Sequence, residues 1–436
     1  MNKQTDVIIV GAGILGAAIA FELAKKGYKP LTVEKHPTSG YGSTSNTCAV
    51  IRTHYSTLEG TAMSYEGYLY WKDWTNYLGF EDERGLIRFN ESGMVVIKDK
   101  SFDLKKKYLN HHDALGIPYE VWDRNKLKEK LPFFDLHSFY PPQRPEDNAF
   151  WDKPEELIPG AVFFPTAGYI NDPQLSVHNI QRAAENVGAE FLFNQEVADV
   201  RKTDDRVLGV TLKNGQEIDA PIVVNAAGPH SFLVNRMAGI EDTMKIKTRA
   251  LRHEVHFVPS PEGFDYEKDG FVTSDGDIGG YHRPEVGNTI LLGSEDPACD
   301  PQDWIEDPDN YNDQVTTDQW KAQVYRLAKR ITNLPIPSKP TGIVDLYDVT
   351  EDWIPIYDRS DLKGFYLAIG TSGNQYKNGP VVGHLMAELI EACEKGHDHD
   401  RDPIQLPLRH IDFTLNTGFY SRLREVIADS SFSVLG

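Results

Sequence analysis

The sequence predicts an α/β fold in two interleaved parts: a doubly wound parallel sheet of the dinucleotide-binding kind, and a smaller α+β part built on an antiparallel sheet. Three observations carry this. A fully apolar, β-branched run at residues 7–10 leads straight into the turn Gly11-Ala12-Gly13-Ile14-Leu15-Gly16 and a run of helix formers, the strand-turn-helix order of a dinucleotide fold. Two further strand-helix blocks follow, one starting near residue 160 and one near residue 365. The stretches between lack that rhythm and alternate like antiparallel strands, for instance at 252–258 and 289–293.

At 436 residues the chain is too long for one compact core. The predicted division assigns 1–80, 155–235 and 336–396 to the dinucleotide part, 81–154 and 236–335 to the substrate part, and 397–436 to a C-terminal tail. In the first block a helix is expected over 17–26 with Gly27 as its stop, then a strand over 31–34 that closes on Glu34. The second block reads as a helix over 176–188 and strands over 190–193, 197–201 and 207–212, with Asn214-Gly215 as a turn, and ends in the run 221–228. The last runs from a strand at 365–369 through the polar loop 370–379 into a helix at 381–395.

Composition excludes several classes. A formal charge of -20, from 65 acidic against 45 basic residues, repels phosphate backbones and anionic membranes. Much of the excess lies in 295–313, which reads as a solvated loop with proline punctuation. Cys48, Cys299 and Cys393 are far apart and free of any CxxC spacing, so neither a disulfide framework nor a zinc site is suggested, and a reducing cytoplasm is the expected location. The apolar run 7–21 falls short of the about 18 residues that span a bilayer. No metal is expected: His397-Asp398-His399-Asp400 follows a helix end in a polar stretch and reads as a surface loop.

In the glycine-rich turn, Gly11 makes the bend, Gly13 lets backbone approach a pyrophosphate, and Gly16 lets the helix pack closely, while the helix N-terminus supplies positive field. Glu34 stands eighteen residues beyond Gly16, with Lys35 beside it. A carboxylate there accepts hydrogen bonds from a ribose and repels a 2'-phosphate, which disfavours NADP. The turn by itself does not separate FAD from NAD.

Four segments are similar in order to one family: DVIIVGAGILGAAIAFELAKKG with its acid at Glu34; GSTSNTCAVIRTHY from Gly42; GYINDP at 168–173 followed by VVNAAGPHS; and LYDVTEDWIPIYDRSDLKGFYLAIGTSGNQYKNGPVVGHLMAELI from Leu346. On these the chain resembles the D-amino-acid oxidase and sarcosine oxidase superfamily of FAD enzymes over nearly its whole length. IRTHY looks nearest the sarcosine oxidase branch, its beta subunit included, and YHRP at 281–284 the dimethylglycine dehydrogenase branch. The resemblance implies a Rossmann-type FAD-binding domain with an α+β substrate domain. It places Ser43, Thr44 and Ser45 along the cofactor, Val197 at the adenine, Ala227 and Gly228 against the cofactor, and the loop containing Gly370, Gly373, Asn374, Gln375, Tyr376 and Lys377 past the flavin ring. A helix beginning near Gly379 would aim its positive end at the pyrimidine side of the flavin.

The same resemblance makes Arg52 and Lys377 the grip on a substrate carboxylate and Tyr281 an active-site wall, although a tyrosine in an antiparallel sheet needs no such role. It implies oxidation of a small carboxylate-bearing secondary or tertiary amine, of the sarcosine or dimethylglycine type, with FAD as hydride acceptor. Oxygen or an electron-transfer partner would take the electrons onward. Some relatives bind flavin through a cysteine at the position of Asp345, and Cys48 reads as a small buried hydrophobe, so dissociable FAD is expected. Where monomeric sarcosine oxidases carry a lysine that assists oxygen, this chain has Leu291 or Leu292, and slow reaction with oxygen is expected. The scaffold also serves primary amino acids, opines and 2-hydroxy acids, and non-catalytic FAD-binding subunits.

Overall fold

A computed structural model describes residues 3–100 and 102–435. Its centre is a six-stranded sheet in the order Glu190–Leu192, Pro30–Val33, Val7–Val10, Ile222–Asn225, Phe365–Ile369, Ile356–Arg359, parallel except for the last pair. Successive side chains of a strand point to opposite faces, and the continuous apolar run 7–10 is explained by burial on both. Val7 and Ile9 pack under the helices Ile14–Lys25, Pro173–Asn186 and Gly379–Glu394. Ile8 and Val10 face a second layer that includes the four-stranded sheet Lys3–Gln4, Glu217–Asp219, Val207–Leu212, Val197–Lys202. The glycine-rich turn fits this tightly. Gly11 has φ +102°, and a Cβ on it would lie 2.5 Å from the Ala226 carbonyl oxygen; a Cβ on Gly16 would lie 1.9 Å from the Gly11 carbonyl oxygen. Only glycine closes the turn at these two positions.

The other large element is a nine-stranded sheet that includes Thr248–Pro259, Val272–Asp275, Gly280–Glu285 and Thr289–Ser294, antiparallel except where Val272–Asp275 lies parallel to Met94–Ile97. The helix Thr317–Arg330 packs on it. Its membership departs from the predicted division. Gly160–Phe164 pairs with Met94–Ile97 and Glu120–Asp123, and Gly342–Thr350 pairs with Thr248–Pro259 over nine residues, so two strands assigned to the dinucleotide part belong to this sheet.

Residues 397–435 are not a loose tail. Leu406, Leu415 and Tyr420 are buried in the core beneath the three helices. Arg422 donates to the carboxylates of Asp358 and Asp400. The expected surface loop at 397–400 is in part an anchor: His399 is buried, 3.6 Å from the Asp358 carboxylate. The acid-rich stretch also departs from a solvated loop, since Asp300 is gripped by Arg326 and Arg144 and Asp303–Ile305 is a strand. No helix among the described residues is long and apolar enough to cross a membrane.

Candidate active site

A cavity of about 660 Å³ runs from the glycine-rich turn to the nine-stranded sheet. At its first end Gly13, Ile14 and Leu15 face it from the start of the helix. Gly13 is the N-cap and has no side chain to offer the first amides; Thr44 Oγ1 accepts from the Ile14 N–H at 3.2 Å. A Cβ on Gly13 would meet only that oxygen, also at 3.2 Å, and otherwise open space. A diphosphate fits a helix start of this kind, where amides and dipole favour an anion.

Glu34 closes its strand with both carboxylate oxygens occupied, one accepting from Ala12 N–H at 2.8 Å and the other from His36 N–H at 2.9 Å. Two backbone donors fix this acid beside the cavity. Lys35 lines the cavity next to Glu34. Its Nζ lies 2.5 Å from the Asp309 carboxylate and 2.8 Å from His230 Nε2. Pro308, Asp309, Tyr311 and Asp313 line the cavity, so part of the acid-rich stretch covers this end.

Ser43, Thr44, Val197, Ala227 and Gly228 all line the cavity. Ser45 does not; its hydroxyl turns back to the Tyr41 and Gly42 carbonyls of its own loop. Ala12 and Gly16 also lie outside the wall, serving the turn and its packing. Gly370 stands behind it, with φ +72° and its N–H donated to Asp348 at 2.6 Å. Burial pushes the Asp348 carboxyl up to about 7. Gly373, Asn374, Gln375, Tyr376 and Lys377 do line the cavity, leading into the helix that starts at Gly379. FAD, implied by the resemblance, suits this wall: an open glycine at a helix start, a fixed acid, and a polar loop before a second helix start.

At the far end Arg52 and Lys377 come together around Tyr55, a residue the sequence did not single out. The Arg52 guanidinium lies 4.1 Å from the centre of the Tyr55 ring. Lys377 Nζ donates to Tyr55 Oη at 2.7 Å and to the Asn374 carbonyl at 2.6 Å. Arg52 donates through Nη1 to the His54 carbonyl and through Nη2 to the Val434 carbonyl, the latter at 2.5 Å. Both cations are buried, 6% and 3% exposed, and among the described residues neither has a carboxylate within ion-pair distance. Burial, and then the nearby Arg52, hold the Lys377 ammonium well below the usual lysine range.

Tyr281 lines the same end, its hydroxyl 3.0 Å from Cys48 Sγ. A Cβ on Gly293 would fall 2.5 Å from this ring, so the small residue across the strand makes room for it. Burial raises the Cys48 thiol above its ordinary range. Asp345 is held by Asn46 Nδ2 at 2.6 Å and Ser43 Oγ at 3.4 Å, with burial pushing its carboxyl upward. Leu291 and Leu292 are buried within the sheet and do not reach the cavity wall.

Among known proteins, the chain is 25% identical to sarcosine oxidase subunit beta of Rhizobium meliloti (strain 1021) over 398 residues, covering 88% of this chain and 84% of that one. It is 23% identical to glycine oxidase of Geobacillus kaustophilus (strain HTA426) over 410 residues, 91% and 96% of the two chains. The crystal structure of L-proline dehydrogenase from P.horikoshii shares the fold, with a TM-score of 0.74 at 23% identity over 97% of this chain and 98% of that one. The sequence profile of the FAD dependent oxidoreductase (DAO) family matches residues 6–389, a span that includes the glycine-rich turn, Arg52, Tyr281 and Lys377, and the chain belongs to that family.

Proposed function

We propose that this FAD-dependent oxidoreductase oxidises a small secondary or tertiary amine that carries a carboxylate, with an N-methyl amino acid such as sarcosine or dimethylglycine as the preferred class. The observation that carries this is the pair Arg52 and Lys377: two buried cations at one cavity end that, among the described residues, have no carboxylate within ion-pair distance. Leaving such groups uncompensated is costly. An anionic substrate supplies the missing charge. The kinds of substrate named for sarcosine oxidase subunit beta and glycine oxidase are amino acids, which supports the same choice.

FAD, when bound, supplies a two-electron acceptor for the hydride on the carbon next to the amine nitrogen. The chain's own share is binding and orientation. Gly13, Ile14 and Thr44 would hold the diphosphate, Glu34 the ribose, and the loop 373–377 would pass the ring. Arg52 offers parallel donors to a carboxylate and Lys377 a point charge, which together fix position and rotation. The same two cations and the buried setting disfavour an ammonium, so the substrate nitrogen is held neutral with its lone pair free. His253, kept neutral at about 3 by burial and then by Arg252, adds no positive charge to that wall. The resulting imine is hydrolysed by water.

The test is a steady-state assay of the purified chain with a dye acceptor, pairing sarcosine and dimethylglycine with their amides. The acids should be preferred by at least tenfold in kcat/KM. Equal rates for acid and amide would remove the carboxylate from the proposal.

A further inference from the structure

Residues 430–435 enter the substrate end of the cavity from the end of the described chain. Val434 and Leu435 line the cavity, and the Val434 carbonyl accepts from Arg52 Nη2 at 2.5 Å. The segment is held from outside. Arg424 donates to both oxygens of Asp352 at 2.9 and 2.7 Å, Ile427 N–H reaches the same carboxylate at 3.4 Å, and Ser430 Oγ donates to the Asp352 carbonyl. Phe432 then turns outward with φ +50°, 46% exposed. Val434 turns inward, 9% exposed, and packs with Leu251, Val349 and Trp353.

The kind of group that meets Arg52 matters. A guanidinium has five N–H donors. The His54 and Val434 carbonyls take one hydrogen from each terminal nitrogen, and the Tyr55 ring covers one face. Among the described residues these two carbonyls are its acceptors. Carbonyls orient the group without cancelling its charge, whereas a carboxylate in the same place would have spent it. Had Asp352 reached Arg52 directly, acid recognition would be lost; instead it anchors the segment and a neutral oxygen makes the contact.

We propose that residues 430–435 form a positioning element of the substrate site: the Val434 carbonyl sets the Arg52 fork for a substrate carboxylate, and Val434 and Leu435 wall the chamber. This rests on the carboxylate clamp proposed above. It predicts that the segment governs discrimination between acid and neutral ligands rather than cofactor binding or the oxidation itself.

The experiment uses the FAD-loaded protein, with methoxyacetate and methoxyacetamide as non-oxidisable mimics of sarcosine and its amide. Binding is followed by the change in flavin absorbance. A chain ending at Asp429 should keep its FAD content and lose at least tenfold in methoxyacetate affinity, with methoxyacetamide changed less than threefold. In the full-length chain, Val434→Gly keeps a carbonyl but removes its packing, and should lower the acid-to-amide ratio at least threefold; this variant decides the question if the shortened chain fails to load FAD. An unchanged ratio in the loaded variants overturns the inference. Arg52→Ala is run beside them. If it alone collapses the ratio, the clamp stands and the segment's role falls; if it too leaves the ratio unchanged, the clamp itself is wrong.

Discussion

Replacing Arg52 with alanine removes the fork from a chamber in which the substrate carboxylate has few other partners. Truncating one side of a buried charged hydrogen bond costs about 2 to 5 kcal/mol, hence roughly thirtyfold to several thousandfold in kcat/KM. The structure places the expected loss toward the lower part of that range. Arg52 is one of the two causes that depress the Lys377 ammonium, so its removal lets Lys377 charge more readily and take over part of the carboxylate's field. The His54 and Val434 carbonyls also lose their donor, a cost of about 1 to 3 kcal/mol in stability if they stay buried, to be read as a lower Tm. FAD content should hardly change, because Arg52 makes no contact with the glycine-rich turn. The assay is kcat/KM on the best acidic amine and on its amide, with flavin content measured on each preparation. The amide should lose little. Near-parent kcat/KM on the acid would refute the clamp.

Three further outcomes are expected. Gly13→Leu should fold but purify without FAD, since its Cβ clears everything except Thr44 Oγ1 and the rest of the side chain fills the space of the diphosphate; full flavin occupancy would take the turn out of the cofactor site. The parent's FAD should come away on acid precipitation, because Asp345 stands where a cysteine anchor is found in some relatives and the Cys48 thiol is held protonated at neutral pH; yellow colour retained by the washed precipitate would contradict this. Lys377 has its pKa depressed, and a bound carboxylate favours its charged form, so binding takes up a proton. Methoxyacetate affinity should therefore weaken as pH rises through a window below the ordinary lysine value of 10.5, and Lys377→Met should abolish that slope; an identical slope in the variant would assign it to another group.

What the sequence made legible is what local rules determine. The strand 7–10, the turn and the helix after it need only near neighbours, and the two steric demands at Gly11 and Gly16 are met within a few residues or by the adjoining Ala226 strand end. The polar loop 370–379 before a helix was readable for the same reason. Long-range pairing was not. Gly160–Phe164 and Gly342–Thr350 look like any buried strand, and nothing in their side chains says which sheet they join. The acid-rich stretch was read by polarity as a solvated loop, 397–400 as a surface loop and 397–436 as a tail, yet charges in them are spent on Arg326, Asp358 and Asp352, partners that lie far away in sequence. Tyr55 was visible only as part of IRTHY. Its role emerges when the fold brings Lys377 to its hydroxyl, 322 residues on.

The most direct measurement is anaerobic mixing of the purified FAD-loaded chain with sarcosine, dimethylglycine and a panel of related acidic amines, recording flavin absorbance. At least one acidic amine should bleach the flavin in a single turnover while its amide leaves it oxidised. Bleaching by the amide as readily as by the acid, or an oxidised flavin with every amine in the panel, would contradict the assignment of this chain as an oxidoreductase of carboxylate-bearing amines.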